Sequence, residues 1–492
     1  MTAPFLFGFE GKRVSRATAR LLRDTEAAGV LLLNRNIDTP AQTRSLVHAL
    51  EDAVGRRLIV AIDHEGGWVM RFTTGVTFLP GNAALGRAGD PALAERAGGI
   101  AARELSALGI NFNLAPVLDV LGAGYNPGIG IRSFGRDPYL VGKLGAAFIC
   151  GQEGHGVAAC VKHFPGKGAA MVDAHVDLPV VKISGSELRN VHLAPFKAAI
   201  KNGVAAVMTS HVLMPALDSK NPATFSRKVA HGLLRKQLGF KGLIVSDDLC
   251  MGAITKRLPV GKAAAAALAA GHDLLIVAHG ESLMREAAEA AGLTLEGRPE
   301  RAAIAARLAA FARRWTGRKT GPSPTPDDAL ARQIARAAVE HLRVGGATLP
   351  LRWPAWERPR ILAVLPDLTE VQDRFAFEDG PQGPAKRLSA ALKRWPAKVS
   401  FTKAGVLSET VPVGLKAAAK RADLVLFFCF EARRFPGQRA ALETLRAAAR
   451  TKLVAVLLRS PADLDLLGSE DTALTAHGYR HSQLDALLGA LR

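Results

Sequence analysis

The sequence predicts an α/β protein: a (β/α)8 TIM-type barrel followed by a smaller parallel α/β sandwich domain. Three observations point there. Eight short apolar runs alternate with helical stretches over the first two-thirds of the 492 residues. A Pro/Gly/Ser/Thr-rich segment then interrupts the pattern, and beyond it apolar runs and helices alternate again.

The eight runs are FLFGF (5–9), GVLLLN (29–34), RLIVAID (57–63), NFNLAPVLDV (111–120), AACVKHF (158–164), VAAVMTSH (204–211), LIVSDD (243–248) and DLLIVAH (273–279). They are continuous rather than alternating, as parallel strands covered on both faces must be. Between them lie stretches such as 90–109, with the 3.6-residue apolar spacing of helices. Eight βα units in a row predict a closed barrel over residues 1–315. A doubly wound open sheet is the runner-up, since strand count alone does not fix closure.

The segment 316–329, TGRKTGPSPTPDDA, is assigned as a linker. A helical run follows at 329–344, then strands at 361–366, 424–430 and 453–458, giving a C-terminal α/β domain over 330–492. Two domains also suit the length, because single hydrophobic cores stop growing near roughly 250–300 residues. Glu431 and Arg433 follow the strand LVLFFCF, where a solvated loop and a functional rim are both open readings.

The formal charge is +20, from 64 Lys and Arg against 44 Asp and Glu. The basic residues are spread along the chain instead of clustered, so a basic solvated surface is expected and a nucleic-acid partner is not. No run approaches the roughly 20 apolar residues of a membrane helix. The N-terminus has no basic region, apolar segment and cleavage site in series, so a cytoplasmic location is expected. The four cysteines, Cys150, Cys160, Cys250 and Cys429, have no CxxC spacing and sit in or beside apolar runs. They are expected to be buried free thiols.

The chemistry is legible in where polar residues fall. RLIVAI ends in Asp63, then His64 and Glu65; AACV ends in Lys162 and His163; VAAVMT ends in Ser210 and His211; LIVS ends in Asp247 and Asp248. An ionisable group at the end of a buried strand is costly unless it is paired or used. In a β/α barrel all four strand ends converge on the C-terminal rim, where functional groups gather. Downstream of Lys162 the chain runs through the Gly-rich PGKG into Asp173-Ala174-His175. An Asp two residues from a His suits a proton-transfer dyad, the carboxylate orienting the imidazole. A turn with an incidental exposed His accounts for the spacing equally well. HEGGW lacks the second His of a zinc protease, PGKGAA lacks the first Gly and the Ser/Thr of a P-loop, and no GxSxG is present. No metal and no cofactor are expected.

At these residues the chain resembles glycoside hydrolase family 3, in its β-N-acetylglucosaminidase branch of two-domain type. The resemblance rests on AIDHEGGWVMRF (61–72), GINFNLAPVLDV (109–120), RSFGRDP (132–138), VKHFPGKGAAMVDAHVDLP (161–179) and the segment 222–254 ending in SDDLCMGAI; 435–467 is similar to the second domain. It implies Asp247 as nucleophile, His175 as general acid/base with Asp173 as its partner, and Asp63, Arg71, Arg132, Lys162 and His163 as sugar-binding residues. The implied activity is a retaining, exo-acting β-N-acetylhexosaminidase that releases terminal GlcNAc from peptidoglycan-derived fragments. Asp248 is expected to be a supporting hydrogen-bonder, and Ser210 and His211 to shape the pocket wall. A family-3 β-glucosidase, a β-N-acetylglucosaminide phosphorylase and a non-catalytic sugar-binding barrel are the alternatives. The chain departs from the branch pattern at Lys167, where a second His is usual, at Ala169, Ala170 and Ala174, and at Trp68, where Arg is more common. Lys167 is expected to meet an anionic leaving group.

Overall fold

Strand formation follows the apolar runs closely. In the computed structural model, which describes residues 3–174, 176–317, 324–354, 356–448 and 452–492, eight parallel strands close into a barrel in sequence order. They are β1 (Ala3–Phe7), β2 (Ala27–Leu32), β3 (Ile59–Ile62), β4 (Phe112–Asn113), β5 (Ala158–Phe164), β6 (Ala206–Thr209), β7 (Leu243–Asp248) and β8 (Leu274–Val277). Closure is made by β1 against β8, with Phe5 opposite Leu275 and Phe7 opposite Val277. The open-sheet alternative is thereby excluded.

The fourth run is the exception to the strand assignment. Only Phe112 and Asn113 pair as a strand, although 111–120 reads as one. Two side-chain amides replace part of the missing ladder. Asn111 accepts from the Val60 N–H at 3.0 Å and donates to the Leu58 carbonyl at 2.9 Å. Asn113 makes the same pair of bonds with the N–H and carbonyl of His64, both at 3.0 Å. Beyond Asn113 the chain leans on β5, where the Leu118 N–H donates to the Lys162 carbonyl at 2.7 Å. Pro116 has no N–H to contribute to a ladder, and this diversion carries Asp119 to the back of β5.

The barrel helices begin where the sequence supplies a cap. Asp90 and Asp137 each accept a backbone N–H of the first turn and are each followed by Pro, starting Pro91–Ala107 and Pro138–Gly154. At the other end of the barrel, helix Pro299–Trp315 lays Phe311 edge-on to Phe112, ring centres 5.1 Å apart.

The chain divides into two compact units: 1–65, 75–77 and 89–326 in the first, and 66–74, 78–88 and 327–492 in the second. The second holds a six-stranded sheet ordered β11-β10-β12-β13-β14-β9. Its strands are β9 (Glu340–Arg343), β10 (Arg360–Asp367), β11 (Lys398–Gly405), β12 (Leu424–Cys429), β13 (Lys452–Leu457) and β14 (Thr472–Thr475). The sheet is mixed, because β9 runs antiparallel to β14. The helical reading of 329–344 therefore fails at its end. The helix is Asp328–Ala337, capped by Asp327, which accepts the Leu330 N–H at 2.9 Å; Glu340–Arg343 is an edge strand. Pairing with β14 overrides the local helical pattern there. Part of the proposed linker, 318–323, lies outside the described residues.

Segment 66–74 is bound into this second unit. Arg459 is buried, pairs with Glu431 at 2.7 Å, and stacks its guanidinium 3.6 Å from the Trp68 ring centre and 4.2 Å from that of Phe375. Arg480 donates from Nε to the Gly67 carbonyl at 2.7 Å. The solvated-loop reading of Glu431 is thus corrected: its side chain is buried against an arginine. Trp68 likewise gains a reason, since its ring faces a cation. All four cysteines are free, but Cys150 is exposed and only Cys160 and Cys429 are fully buried. Among the described residues, no helix is long and apolar enough to cross a membrane.

Candidate active site

The C-terminal ends of β3, β5 and β7 bring most of the expected residues together. Lys162, on β5, is almost wholly buried and reaches two carboxylates that follow β3: Nζ lies 2.7 Å from Asp63 Oδ1 and 2.6 Å from Glu65 Oε1. Arg132 grips Glu65 with both prongs of its fork, at 2.8 and 2.7 Å, and donates to the Gly128 carbonyl at 2.8 Å. Two cations and two carboxylates thus satisfy one another where an isolated buried charge would be prohibitive. Burial pushes the Glu65 carboxyl up, but Arg132 and Lys162 outweigh it and hold it below the ordinary glutamate range. Burial likewise pulls the Lys162 ammonium down, and Asp63 with Glu65 more than reverses it.

His163, next on β5, pairs through Nδ1 with Asp119 Oδ2 at 2.7 Å. The other Asp119 oxygen accepts the Lys167 N–H at 2.6 Å. Asp119 is fully buried, and burial raises its carboxyl to about 6 against the pull of Lys167. Asn126 adds a second anchor to the same loop. Its amide nitrogen donates to the Lys167 and Gly168 carbonyls at 2.9 and 3.0 Å, and its oxygen accepts the Gly128 and Ile129 N–H groups at 3.0 and 2.9 Å. The glycines of PGKG are required by this fit. A Cβ at Gly168 would lie 1.8 Å from the Val120 carbonyl oxygen, and Gly166 has φ +110°.

Asp247 stands at the end of β7. Its Oδ1 accepts the Asp248 N–H at 2.9 Å, and its Oδ2 lies 3.9 Å from Lys167 Nζ. The Lys167 side chain is turned inward and is 9% exposed. That ammonium is within electrostatic reach of Asp247, Arg132, Asp119 and Asp173, so one cation links the nucleophile candidate to the dyad's carboxylate and to the β3–β5 network. Asp173 sits beside Gly128, where a Cβ would be 3.5 Å from its Oδ1. Its expected partner His175 lies outside the described residues. Ala174, between them, is buried with Met251 and Ala253 and accepts the Ala253 N–H at 3.1 Å.

Asp248 is oriented away from chemistry: one carboxylate oxygen accepts the Cys250 and Ala278 N–H groups, both at 3.0 Å. His211 is buried between Thr224 Oγ1 at 2.7 Å and the Asp248 carbonyl at 2.9 Å. Burial lowers its pKa, which favours the neutral ring of a wall residue. Arg71 belongs to segment 66–74 of the second unit. Among the described residues, no three His, Cys, Asp or Glu side chains gather as a metal-ligand set. Two cavities of about 330 and 510 Å³ lie at the opposite, N-terminal end of the barrel, both lined by Arg314 and Trp315. In this fold that end serves stability.

Three residues were not assigned roles from sequence: Glu65, Asp119 and Asn126. Glu65 and Asp119 carried the signal that exposed the others, a carboxylate at the end of an apolar run. Asn126 carried none, because its role depends on two loops meeting.

Comparison with known proteins identifies the family and the fold. The glycosyl hydrolase family 3 N terminal domain matches residues 5–309. A beta-hexosaminidase from Thiobacillus denitrificans is 40% identical over 294 residues, 58% of this chain and 80% of that protein. One from Thioalkalivibrio sulfidiphilus is 36% identical over 345 residues, 69% of this chain and 96% of that protein. The solved structure of a glycoside hydrolase family 3 beta-N-acetylglucosaminidase from Paenibacillus sp. str. FPU-7 aligns with a TM-score of 0.91 at 33% identity, covering 99% of this chain and 95% of that one.

Proposed function

The chain belongs to glycosyl hydrolase family 3 and is a glycoside hydrolase, and from that premise we propose that it is a retaining, exo-acting β-N-acetylhexosaminidase. Asp247 is the nucleophile, His175 the general acid/base and Asp173 its partner. Asp63, Arg71, Arg132, Lys162 and His163 bind the terminal sugar. The natural substrates are GlcNAc-containing fragments of peptidoglycan, processed in the cytoplasm.

One observation carries the reading. Lys167 is in reach of both Asp247 and Asp173, so the carboxylate after β7 and the loop that leads into His175 share one rim of one barrel. Asp247 attacks the anomeric carbon while His175 protonates the departing oxygen. Water then breaks the glycosyl ester, with His175 now taking the proton. The fixed charges of Asp63, Lys162, Glu65 and Arg132 hold the hydroxyls of the ring undergoing distortion. The hexosaminidase relatives and the Paenibacillus structure favour an N-acetylated sugar over a plain glucoside.

The test is to trap the intermediate with a fluorinated 2-acetamido sugar and map the labelled peptide. Label on Asp247 is expected; label on any other residue overturns the assignment. Turnover of nitrophenyl GlcNAc is expected to exceed that of nitrophenyl glucoside, with no dependence on phosphate. Equal turnover, or a phosphate requirement, rejects the hydrolytic hexosaminidase reading.

A further inference from the structure

We propose that Lys167 is itself a catalytic residue, its ammonium governing how readily Asp247 carries and recovers its negative charge. This rests on Asp247 being the nucleophile.

The placement of Lys167 is built rather than incidental. Its backbone N–H is held by Asp119 at 2.6 Å and its carbonyl by Asn126 at 2.9 Å, while Gly168 packs directly on the Val120 carbonyl. The ammonium is thereby delivered to 3.9 Å from Asp247 Oδ2, while Oδ1 accepts the Asp248 N–H at 2.9 Å. Lys167 and Asp247 are 9% and 16% exposed, so water screens the pair little. Burial pulls the Lys167 ammonium down, and Asp247 is foremost among the groups opposing that pull. Of the charged groups that act on this ammonium, Asp247 comes ahead of Arg132, Asp119 and Asp173.

The pair does different work in the two half-reactions. In the first, an Asp247 oxygen bonds to the anomeric carbon, the glycosidic C–O bond breaks, and the departing oxygen takes a proton from the acid/base. The carboxylate becomes a neutral ester and Lys167 loses its counter-charge. In the second, water bonds to the same carbon and gives its proton to the base. The ester C–O bond breaks and its electron pair returns to Asp247, beside the waiting ammonium. Lys167 thus keeps the free nucleophile ionised and favours its departure from the intermediate.

Among the described residues that respond to Asp247 are Lys167, Cys160, His211 and Asp248. Those facing Lys167 are Asp247, Arg132, Asp119 and Asp173. Of the first set, Lys167 is the ammonium; His211 is pulled toward neutrality and the thiol and second carboxyl are pushed up by burial. Removing Lys167 therefore moves the acid limb of the kcat/KM profile upward.

The experiment uses the full chain with Lys167→Met and Lys167→Arg, nitrophenyl GlcNAc as substrate, and the fluorinated aminosugar as label. For Lys167→Met the expected result is an acid limb about one pH unit higher, with a burst of nitrophenol, and kcat and KM falling together as the ester accumulates. Lys167→Arg restores the acid limb and abolishes the burst. If Lys167→Met fails to fold by circular dichroism, Lys167→Gln supplies the same readouts. An unmoved acid limb without a burst, with label still on Asp247, overturns this inference alone. Label on a different carboxylate in the wild type overturns it together with the nucleophile assignment.

Discussion

Asp119 Oδ2 lies 2.7 Å from His163 Nδ1, and the same carboxylate takes the Lys167 N–H on its other oxygen. One buried side chain thus orients the imidazole proposed to bind sugar and fixes the root of the loop that leads to the proposed acid/base. Asp119→Asn keeps the shape but replaces one acceptor with a donor, so with the amide oxygen on the Lys167 N–H, His163 must give up its Nδ1 proton to be served. The expected outcome is a loss of about a hundred-fold in kcat/KM on nitrophenyl GlcNAc. Circular dichroism should remain that of the wild type. A variant with wild-type kcat/KM would show that neither partner needs the carboxylate.

Glu65 ties Arg132 to Lys162, and its removal exposes a pH dependence. The folded-state carboxyl is held below its ordinary 4.5. Its contribution to stability is therefore present above about pH 4.5 and is lost as the pH falls through the lower folded value. Glu65→Gln leaves two buried cations short of a counter-charge and is expected to cost about 3–5 kcal/mol at neutral pH. Urea denaturation at several pH values checks this: the gap between wild type and variant should narrow below pH 4.5. A gap that is constant with pH would assign the loss to packing instead.

Arg459 holds Trp68 by its flat face and Glu431 by its charge, and a lysine supplies only the second. Arg459→Lys is therefore expected to destabilise the second unit by about 1–2 kcal/mol through the lost stacking. Arg459→Ala, which strands Glu431, is expected to cost about 3–5 kcal/mol. Limited proteolysis should then cut within 66–74 sooner than in the wild type. Equal cutting rates for all three proteins would mean that Trp68 is held by other contacts.

The barrel was legible because both faces of its strands are covered, and such strands print as unbroken apolar runs. The strand-end charges on β3, β5 and β7 were legible for the same reason: a carboxylate closing such a run has few structural excuses. The limits were also physical. Residues 114–119 looked like strand because they are apolar, but beyond Leu114, which still donates to the Ile62 carbonyl, the chain leans onto β5 alone and Pro116 has no N–H to give. Glu340–Arg343 looked like helix because nothing local announces that β14, more than a hundred residues later, will pair with it. Asn126 gave no warning, since two of its four hydrogen bonds, to the Lys167 and Gly168 carbonyls, exist only once two distant loops are side by side. Lys167 stands out as a departure from the family pattern, yet its direction, inward to 3.9 Å from Asp247, is a property of the fold.

The two asparagines that stitch β3 to β4 give the cylinder a seam written in chemistry instead of in main chain. Between β6 and β7, by contrast, the strands pair residue by residue from Ala206 opposite Leu243 to Thr209 opposite Ser246. At Asn111 and Asn113 the join needs a group that gives and takes a hydrogen at once, a demand that aspartate and leucine both fail. Because Asn113 closes on both polar groups of His64, this residue-specific seam holds the very backbone that carries Asp63 and Glu65.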